Sequence, residues 1–226
     1  MKTKKIERVT FLGSVILSIL TLTVNAQEVK DTNGNVYGIA KYGVQVWIAS
    51  NLNATHFRNG DVIPEARTDE EWARAASSGS PAWCYYDNNP ENAAKYGKLY
   101  NWYAINDPRG LAPAGWHIPA NEDWRTLIKN LLGIKVAGPK LKDSKGWKNK
   151  KGTNDIGFAA LPAGYRDQEG KFKDIEKIGQ WWSNSVPVDV KPSELIYSVQ
   201  LNDNTTDIKY IAVNKGMGLS VRCEKD

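Results

Sequence analysis

Two segments rich in aromatic and amide side chains are the parts of this sequence best suited to binding chemistry. Aromatic rings stack on the apolar C–H faces of sugars, and neighbouring carboxylates and amides bond sugar hydroxyls. The candidate ligand-binding residues are Trp83, Tyr85, Tyr86, Asp87 and Asn88, together with Trp181, Trp182 and Asn184. Adjacent strand residues point to opposite faces, so we expect one of Trp181 and Trp182 to be at least partly exposed. The alternative, that these rings form the core of a loop-rich fold, stays open.

Metal chemistry has weaker support in the sequence. His56 and His117 lie in unrelated motifs, so there is no zinc motif, and we expect His117 to be packed with a backbone partner. Calcium needs only loop oxygens. Two turns could supply them: Asp87, Asn88, Asn89 and Glu91, or Asn202, Asp203, Asn204 and Asp207. Neither turn has EF-hand spacing, and such turns commonly bond their own backbone.

Motifs for enzyme catalysis are not visible. The sequence contains no Gly-x-Ser-x-Gly, no cysteine beside a histidine motif and no phosphate-binding glycine loop. Paired carboxylates for glycoside hydrolysis stay open, because any two of them could meet in the fold. We therefore favour a non-enzymatic protein and keep a polysaccharide-active enzyme as the third alternative.

The N-terminus has the pattern of a cleavable export signal. Basic residues precede an apolar run over residues 11–24, and Val24-Asn25-Ala26 forms a small-x-small cleavage site. The run is shorter than the roughly 20 residues of a membrane span, and no lipid-accepting cysteine follows it. We expect residues 27–226 to form one domain in the periplasm, at the cell surface or outside the cell, and not an integral membrane protein.

Charge gives little support for nucleic acid binding. The formal net charge is +5, but residues 1–26 hold four basic residues against one acidic residue, so most of the excess lies in the signal. One basic stretch surrounds Trp147, and we interpret it as a solvated loop, with a polyanion site as the alternative. Its lysines are Lys140, Lys142, Lys145, Lys148, Lys150 and Lys151.

The cysteine count suggests one cross-link. An exported protein with two cysteines, here Cys84 and Cys223, is expected to join them in a disulfide. Such a bond would tie the last strand to the first third of the chain. The alternative is two buried thiols.

Short strands and two or three helices must position these residues. Thr68 and Glu71 form a capping-box pattern that starts a helix over about residues 69–77, and a helical turn is expected at 91–96. The clearest helix covers about residues 121–132, where one apolar stripe is ended by Gly133. The stripe consists of Trp124, Leu127, Ile128, Leu131 and Leu132. We expect a hairpin over 36–49, strands at 81–86 and 99–105, a loop over 134–157 and short strands beyond, and hence an α+β fold.

Six motifs in order resemble one known family. They are GVQVWIASNLN at 43–53, YGKLYNWYA at 96–104, PAGWHIP at 113–119 followed by Trp124, GFAALPAGYR at 157–166, GQWWS at 179–183 and GLSVRC at 218–223. Over nearly all of residues 29–226 the chain resembles the Fibrobacter succinogenes major paralogous domain (FISUMP). The resemblance implies an exported protein of a Gram-negative bacterium, with no enzymatic activity to carry over.

The same motifs are similar to those of the C-type lectin-like superfamily, which includes the formylglycine-generating sulfatase-modifying domains. This implies a C-type lectin-like fold with short twisted antiparallel strands, two or three helices and long loops. The formylglycine-generating domains use a closely spaced cysteine pair, which Cys84 and Cys223 are not, and this argues against an oxidase. Ala120 stands where the family has a Ser or Thr helix cap, at a cost of about 1 kcal/mol.

We therefore expect an exported, non-enzymatic binding domain of the cell envelope, for glycan or for a protein partner. The alternative is a structural or interaction module of the envelope without a small ligand.

Overall fold

The computed structural model describes residues 28–149, 152–187 and 195–226. The predicted signal peptide, residues 1–26, lies outside these ranges, as do Lys150 and Lys151 of the basic stretch. The helices of the described chain are α1 (Asp69–Ser78), α2 (Asn92–Tyr96), α3 (Trp102–Ile105), α4 (Asn121–Asn130) and α5 (Ala137–Leu141), with a 3-10 turn at Tyr86–Asn88. Within this part of the chain, no helix is both long and apolar enough to cross a bilayer.

Thirteen short strands complete the described chain. They are β1 (Val29–Lys30), β2 (Val36–Tyr37), β3 (Ile39–Tyr42), β4 (Gln45–Ile48), β5 (Trp83–Cys84), β6 (Leu99–Tyr100), β7 (Trp116–His117), β8 (Tyr165–Arg166), β9 (Phe172–Lys173), β10 (Ile178–Trp182), β11 (Leu195–Asn202), β12 (Lys209–Asn214) and β13 (Glu224–Lys225). They form small sheets in which every pair of named strands is antiparallel. The predicted mixture of helices with short antiparallel strands is confirmed.

Two of the predicted helices are confirmed together with their local signals. The Thr68 hydroxyl accepts a hydrogen bond from the Glu71 amide at 3.1 Å and so starts α1, which buries Trp72. In α4 the residues Trp124, Leu127, Ile128 and Leu131 are all buried. The predicted stripe fails at Leu132, which is 71% exposed, because its backbone turns into the left-handed region (φ 78°).

Two helices lie where none was predicted. Residues 99–105 were expected to be one strand, but the strand ends at Tyr100 and α3 follows, because the Asn101 side chain accepts from the Ala104 amide at 3.0 Å and caps a helix. The expected loop over 134–157 contains α5. Lys142, predicted to be solvated, is buried directly after α5 and donates to the carbonyl oxygens of Asn202 and Thr205.

A four-stranded sheet joins strands that are far apart in sequence, in the order β3-β4-β13-β7. Its β3–β4 hairpin turns at Gly43, which has φ 61° and therefore takes a conformation that other residues adopt at a cost. A second sheet has the order β10-β11-β12. Strand β10 lies between two buried clusters, because Trp181 packs in one and Trp182 in the other.

The predicted disulfide between Cys84 and Cys223 is wrong, because both are free buried thiols. Cys84 pairs with Leu99 in the β5–β6 ladder and packs in a small cluster around Trp72. Cys223 belongs to the largest cluster and is tied to β4, where its carbonyl accepts from the Ile48 amide at 2.9 Å. The two thiols are therefore fixed in different parts of the core.

Candidate functional site

A surface groove of about 450 Å³ lies where the segment before α1 meets the turn after β5. It is lined by Glu65, Arg67, Tyr85, Asn88 and Pro90. The two walls are held together by backbone bonds, since the amide of Trp83 donates to Pro64 and the amide of Ala66 donates to Trp83. The groove thus combines one aromatic ring, one amide and a pair of opposite charges.

The ring of Tyr85 is held in place from behind. It meets the buried ring of Trp83 edge-on, with centroids 5.0 Å apart and an interplanar angle of 82°. The Trp83 indole is itself fixed by a 2.9 Å bond to the carbonyl of Ile63. Edge-to-face pairs of this kind are favourable beyond the area they bury. Tyr85 is therefore a half-buried ring with a rigid support.

A buried cation lies against this aromatic pair. The ammonium group of Lys98 is 4.8 Å from the Trp83 centroid and 5.1 Å from the Tyr85 centroid. It donates to the carbonyl oxygen and the side-chain oxygen of Asn53, at 2.8 and 2.5 Å. Burial lowers the pKa of Lys98 to about 8.

The opposite wall is a tight turn. Asp87 and Asn88 have φ values of 55° and 51°, in the left-handed region that Asp and Asn adopt more readily than other residues with a side chain. The turn is anchored by Arg166, which has no exposed surface and donates to the Asn88 side chain at 3.4 Å. The same guanidinium nitrogen donates to the Ala66 carbonyl at 2.9 Å. One buried arginine therefore ties both walls of the groove.

The charged pair at the rim presents both a donor and an acceptor. Arg67 donates to one oxygen of Glu65 from Nε at 3.0 Å and from Nη2 at 2.8 Å. The Glu65 carboxylate raises the pKa of the exposed Arg67. Guanidinium, carboxylate and amide groups together can donate to and accept from the hydroxyls of a polar ligand.

The comparison with models of known protein families identifies the family of this chain. The family model described as the Fibrobacter succinogenes major domain matches residues 40–225. The chain belongs to that family. The match runs from β3 to β13 and includes every residue of the groove. No curated protein and no solved structure matches this FISUMP chain significantly.

Of the two segments predicted to bind ligand, the one over residues 83–88 contributes part of the groove of this FISUMP domain. Tyr85 and Asn88 line it, and Asp87 is exposed on the same turn. Trp83 and Tyr86 are buried, so they support the groove and offer no ring face to solvent. The Tyr86 ring packs on Phe172 with centroids 5.1 Å apart, and burial raises its pKa.

The other segment of the FISUMP domain that was predicted to bind ligand, residues 181–184, does not line the groove. The expectation that Trp181 or Trp182 is exposed is wrong, because both are fully buried. Trp181 donates to the side chain of Asn51 at 2.8 Å, and Trp182 donates to the carbonyl of Tyr100 at 2.7 Å. Asn184 is exposed and its amide donates to the carbonyl of Pro119, but it is not among the described residues that line the groove.

Each of the two oxygen-rich turns contains an asparagine whose side-chain oxygen accepts from the turn's own backbone. The side-chain oxygen of Asn89 accepts from the Glu91 amide at 3.0 Å, and that of Asn202 accepts from the Asn204 amide at 2.9 Å. These are the local bonds that such residues commonly make in turns. Calcium binding at these turns stays a prediction.

His117 has carboxylate partners, so the prediction of a backbone partner is wrong. Its Nδ1 lies 2.9 Å from Oδ1 of Asp226 and its Nε2 lies 3.5 Å from Oδ2 of Asp123. Among the described residues, the one group of three or more candidate metal ligands in close contact is His117, Asp123 and Glu224. The FISUMP motifs contain His117 but not either carboxylate.

Sequence reasoning missed Glu65, Arg67 and Pro90 in the groove. Two of them carry a weak local signal, since Glu65 and Arg67 are alternate residues of an extended segment and so point to the same side. No local pattern indicated that the supporting residues Lys98 and Arg166 are buried, because a charged side chain is normally taken to be exposed.

Proposed function

We propose that this FISUMP domain is an exported, non-enzymatic binding domain of the bacterial cell envelope that binds glycan in the groove at Tyr85. The observation that carries the proposal is the rigid, half-buried Tyr85 ring beside the amide of Asn88 and the Glu65–Arg67 pair. An aromatic surface flanked by donors and acceptors matches a sugar, which has an apolar face and a rim of hydroxyls.

The size and rigidity of the groove support this proposal. Its volume of about 450 Å³ falls within the roughly 300–1,000 Å³ of small-molecule sites. Its walls are tied by the buried Arg166, and its ring is supported by Trp83 and Lys98. A site already held in its binding geometry loses less entropy when a ligand binds.

The decisive experiment is a glycan array with the purified full chain, followed by calorimetry on any hit. We expect Tyr85→Ala to weaken binding at least about tenfold, which corresponds to about 1.4 kcal/mol, and Tyr85→Phe to retain most of it. The matched control is Tyr42→Ala, which removes a half-buried tyrosine outside the groove. Circular dichroism should show that all variants are folded.

Two results would contradict the proposal. One is a folded protein that binds no glycan, and the other is a Tyr85→Ala variant that binds as tightly as the native chain. Repeating the binding with calcium and with chelator tests the oxygen-rich turns separately, because only calcium dependence would implicate them.

The alternative is a protein-interaction module of the envelope, and one observation favours it. A groove of about 500 Å³ beside α4 is bordered by the exposed apolar residues Leu132 and Ile134 and by the basic residues Arg125 and Lys129. Leu132 is held exposed in a backbone conformation that favours glycine. The partner that fits is an envelope protein with an apolar side chain flanked by carboxylates.

A photo-crosslinking residue placed at position 132 tests this alternative in cells. The control places the same residue at Val44, which is exposed in the β3–β4 turn. The interaction module would be favoured if the residue at position 132 crosslinks to one protein whose contact segment has an apolar side chain flanked by carboxylates, and the residue at position 44 does not. Equal adducts at both positions would reject it.

Fold and location belong to the same proposal. We assign a C-type lectin-like fold and a periplasmic, surface or secreted location of a Gram-negative cell. The assignment is supported by the resemblance of the PAGWHIP segment leading to Trp124 and of the GLSVRC segment, and by the signal pattern of residues 1–26.

A further inference from the structure

Three side chains from two distant parts of the chain meet at the β7 edge of the four-stranded sheet. They are His117 on β7, Asp123 in the first turn of α4 and Glu224 on β13, and their ligand atoms all lie within 4.8 Å of one another. We propose that these three residues bind one divalent transition-metal ion, with Zn²⁺ as the best match. This site is separate from the glycan groove and does not depend on it.

The backbone places the three residues together. Glu224 is directly opposite His117 in the β13–β7 ladder, so their side chains share one face of the sheet. The first turn of α4 lies beside that face, with Oδ2 of Asp123 at 3.5 Å from Nε2 of His117. The Asp123 carboxylate is held by the amide of Ala120, which donates to it at 2.8 Å. The cluster is therefore built by strand register and a helix start.

Glu224 provides a second, independent observation that points to a cation ligand. Its side chain is only 8% exposed, and its Oε2 is buried without a hydrogen-bond partner. A buried carboxylate oxygen that receives no donor is costly, and a bound cation removes that cost.

Gln45 repeats this observation next to Glu224. It is 6% exposed, and its Oε1 is also buried without a partner, whereas its Nε2 donates to the backbone oxygen of Asp123 at 3.0 Å. Buried oxygens without a hydrogen-bond partner, as in Glu224 and Gln45, are uncommon in a native structure. Gln45 is the candidate for a fourth ligand.

Asp226 orients the histidine. Its Oδ1 lies 2.9 Å from Nδ1 of His117, and because a carboxylate oxygen accepts, Nδ1 donates in this contact. Nε2 lies on the side of Asp123 and is the nitrogen that would bind the ion. Metal-binding histidines commonly donate their second ring nitrogen to a carboxylate in this way. Asp226 is thus a positioning residue.

The ligand set and the distances indicate the kind of ion. Zn²⁺ binds histidine nitrogen and carboxylate oxygen at about 2.0–2.2 Å in a tetrahedron, so ligand atoms around one ion lie about 3.4 Å apart. The observed spread of 4.8 Å requires the side chains to close by about 1.4 Å. His117 and Asp123 are partly exposed, which leaves them room to adjust and gives the ion a path. Calcium and magnesium prefer oxygen-only sites.

The test is calorimetric titration of zinc chloride into the full chain, purified without a histidine tag and treated with chelator. We expect one ion per chain, which a large excess of calcium or magnesium does not displace. His117→Ala should abolish this binding, Glu224→Gln should weaken it at least about tenfold, and Asp226→Asn about tenfold. The matched control is His56→Ala, because His56 is the other histidine and its ring contacts Asn33 and Thr55, not carboxylates.

Thermal unfolding with and without zinc gives a second measurement. Zinc should raise the midpoint of the native chain and of His56→Ala, raise that of Glu224→Gln less, and leave that of His117→Ala unchanged. The proposal is overturned if the native chain takes up no zinc, if His117→Ala and folded Glu224→Gln bind zinc as the native chain does, or if calcium displaces zinc.

Discussion

The indole N–H of Trp181 donates a 2.8 Å hydrogen bond to the side-chain oxygen of Asn51, which lies 130 residues earlier in the chain. The same oxygen accepts from Nε of Arg222 at 2.8 Å, and all three side chains are buried. Each belongs to a different one of the FISUMP motifs. Trp181 is therefore present to complete a buried polar junction, and not to meet a ligand.

Removing the acceptor at this junction should destabilise the domain strongly. In Asn51→Ala the buried guanidinium of Arg222 and the indole of Trp181 lose their shared partner, and we expect the free energy of unfolding to fall by about 3 kcal/mol. Urea denaturation measures this. The control Asn59→Ala changes an exposed residue and should stay within about 0.5 kcal/mol. A loss below about 1 kcal/mol in Asn51→Ala would contradict the assignment.

Lys98 should make stability increase with pH in the alkaline range. Its pKa is about 8 in the folded chain and 10.5 ordinarily, so between these values the unfolded chain binds more protons. The free energy of unfolding therefore rises from pH 8 to 10.5, by at most about 3 kcal/mol from this group. The measurement is urea denaturation across this pH range for the native chain and for Lys98→Met. The difference between the two proteins removes the contribution of the other titrating groups. If the free energy of unfolding changes with pH in the same way in both proteins, the prediction is contradicted.

The two cysteines should behave as protected thiols. Burial raises the pKa of Cys84 to about 12, and it also raises that of Cys223, so little thiolate is present near neutral pH. We expect a thiol reagent to label neither cysteine in the native protein and both in denaturant without reductant. Reductant should leave the thermal midpoint unchanged. Failure to label the denatured, unreduced chain would show that a disulfide forms after all.

Leu132 should be replaceable by glycine with a gain in stability. It occupies the left-handed position after α4, where the amide of Gly133 donates to the Ile128 carbonyl at 2.8 Å and glycine is preferred at position 132. Its side chain is mostly exposed, so we expect Leu132→Gly to raise the free energy of unfolding by about 1 kcal/mol. Gly133→Ala, at φ 91°, is the opposite control and should lower it. A lower free energy of unfolding in Leu132→Gly would contradict this and would mean that the leucine side chain makes stabilising contacts.

The sequence by itself determined those features whose causes are local. The Thr68 cap and the apolar stripe of α4 as far as Leu131 each depend on residues within a few positions, and each is found where it was expected. The order of the FISUMP motifs likewise identified the family that matches residues 40–225. Tyr85 and Asn88 were named from composition alone, and they do line one groove.

Only the tertiary structure decided which side chains meet solvent and which meet one another. Alternation along β10 correctly sends Trp181 and Trp182 to opposite faces, but a buried cluster covers each face, so neither ring is exposed. The pairing of β13 with β7 brings Glu224 to His117, which no local pattern connects. The burial of a residue depends on what packs against it from distant parts of the chain, and the periodicity of a single segment does not carry that information.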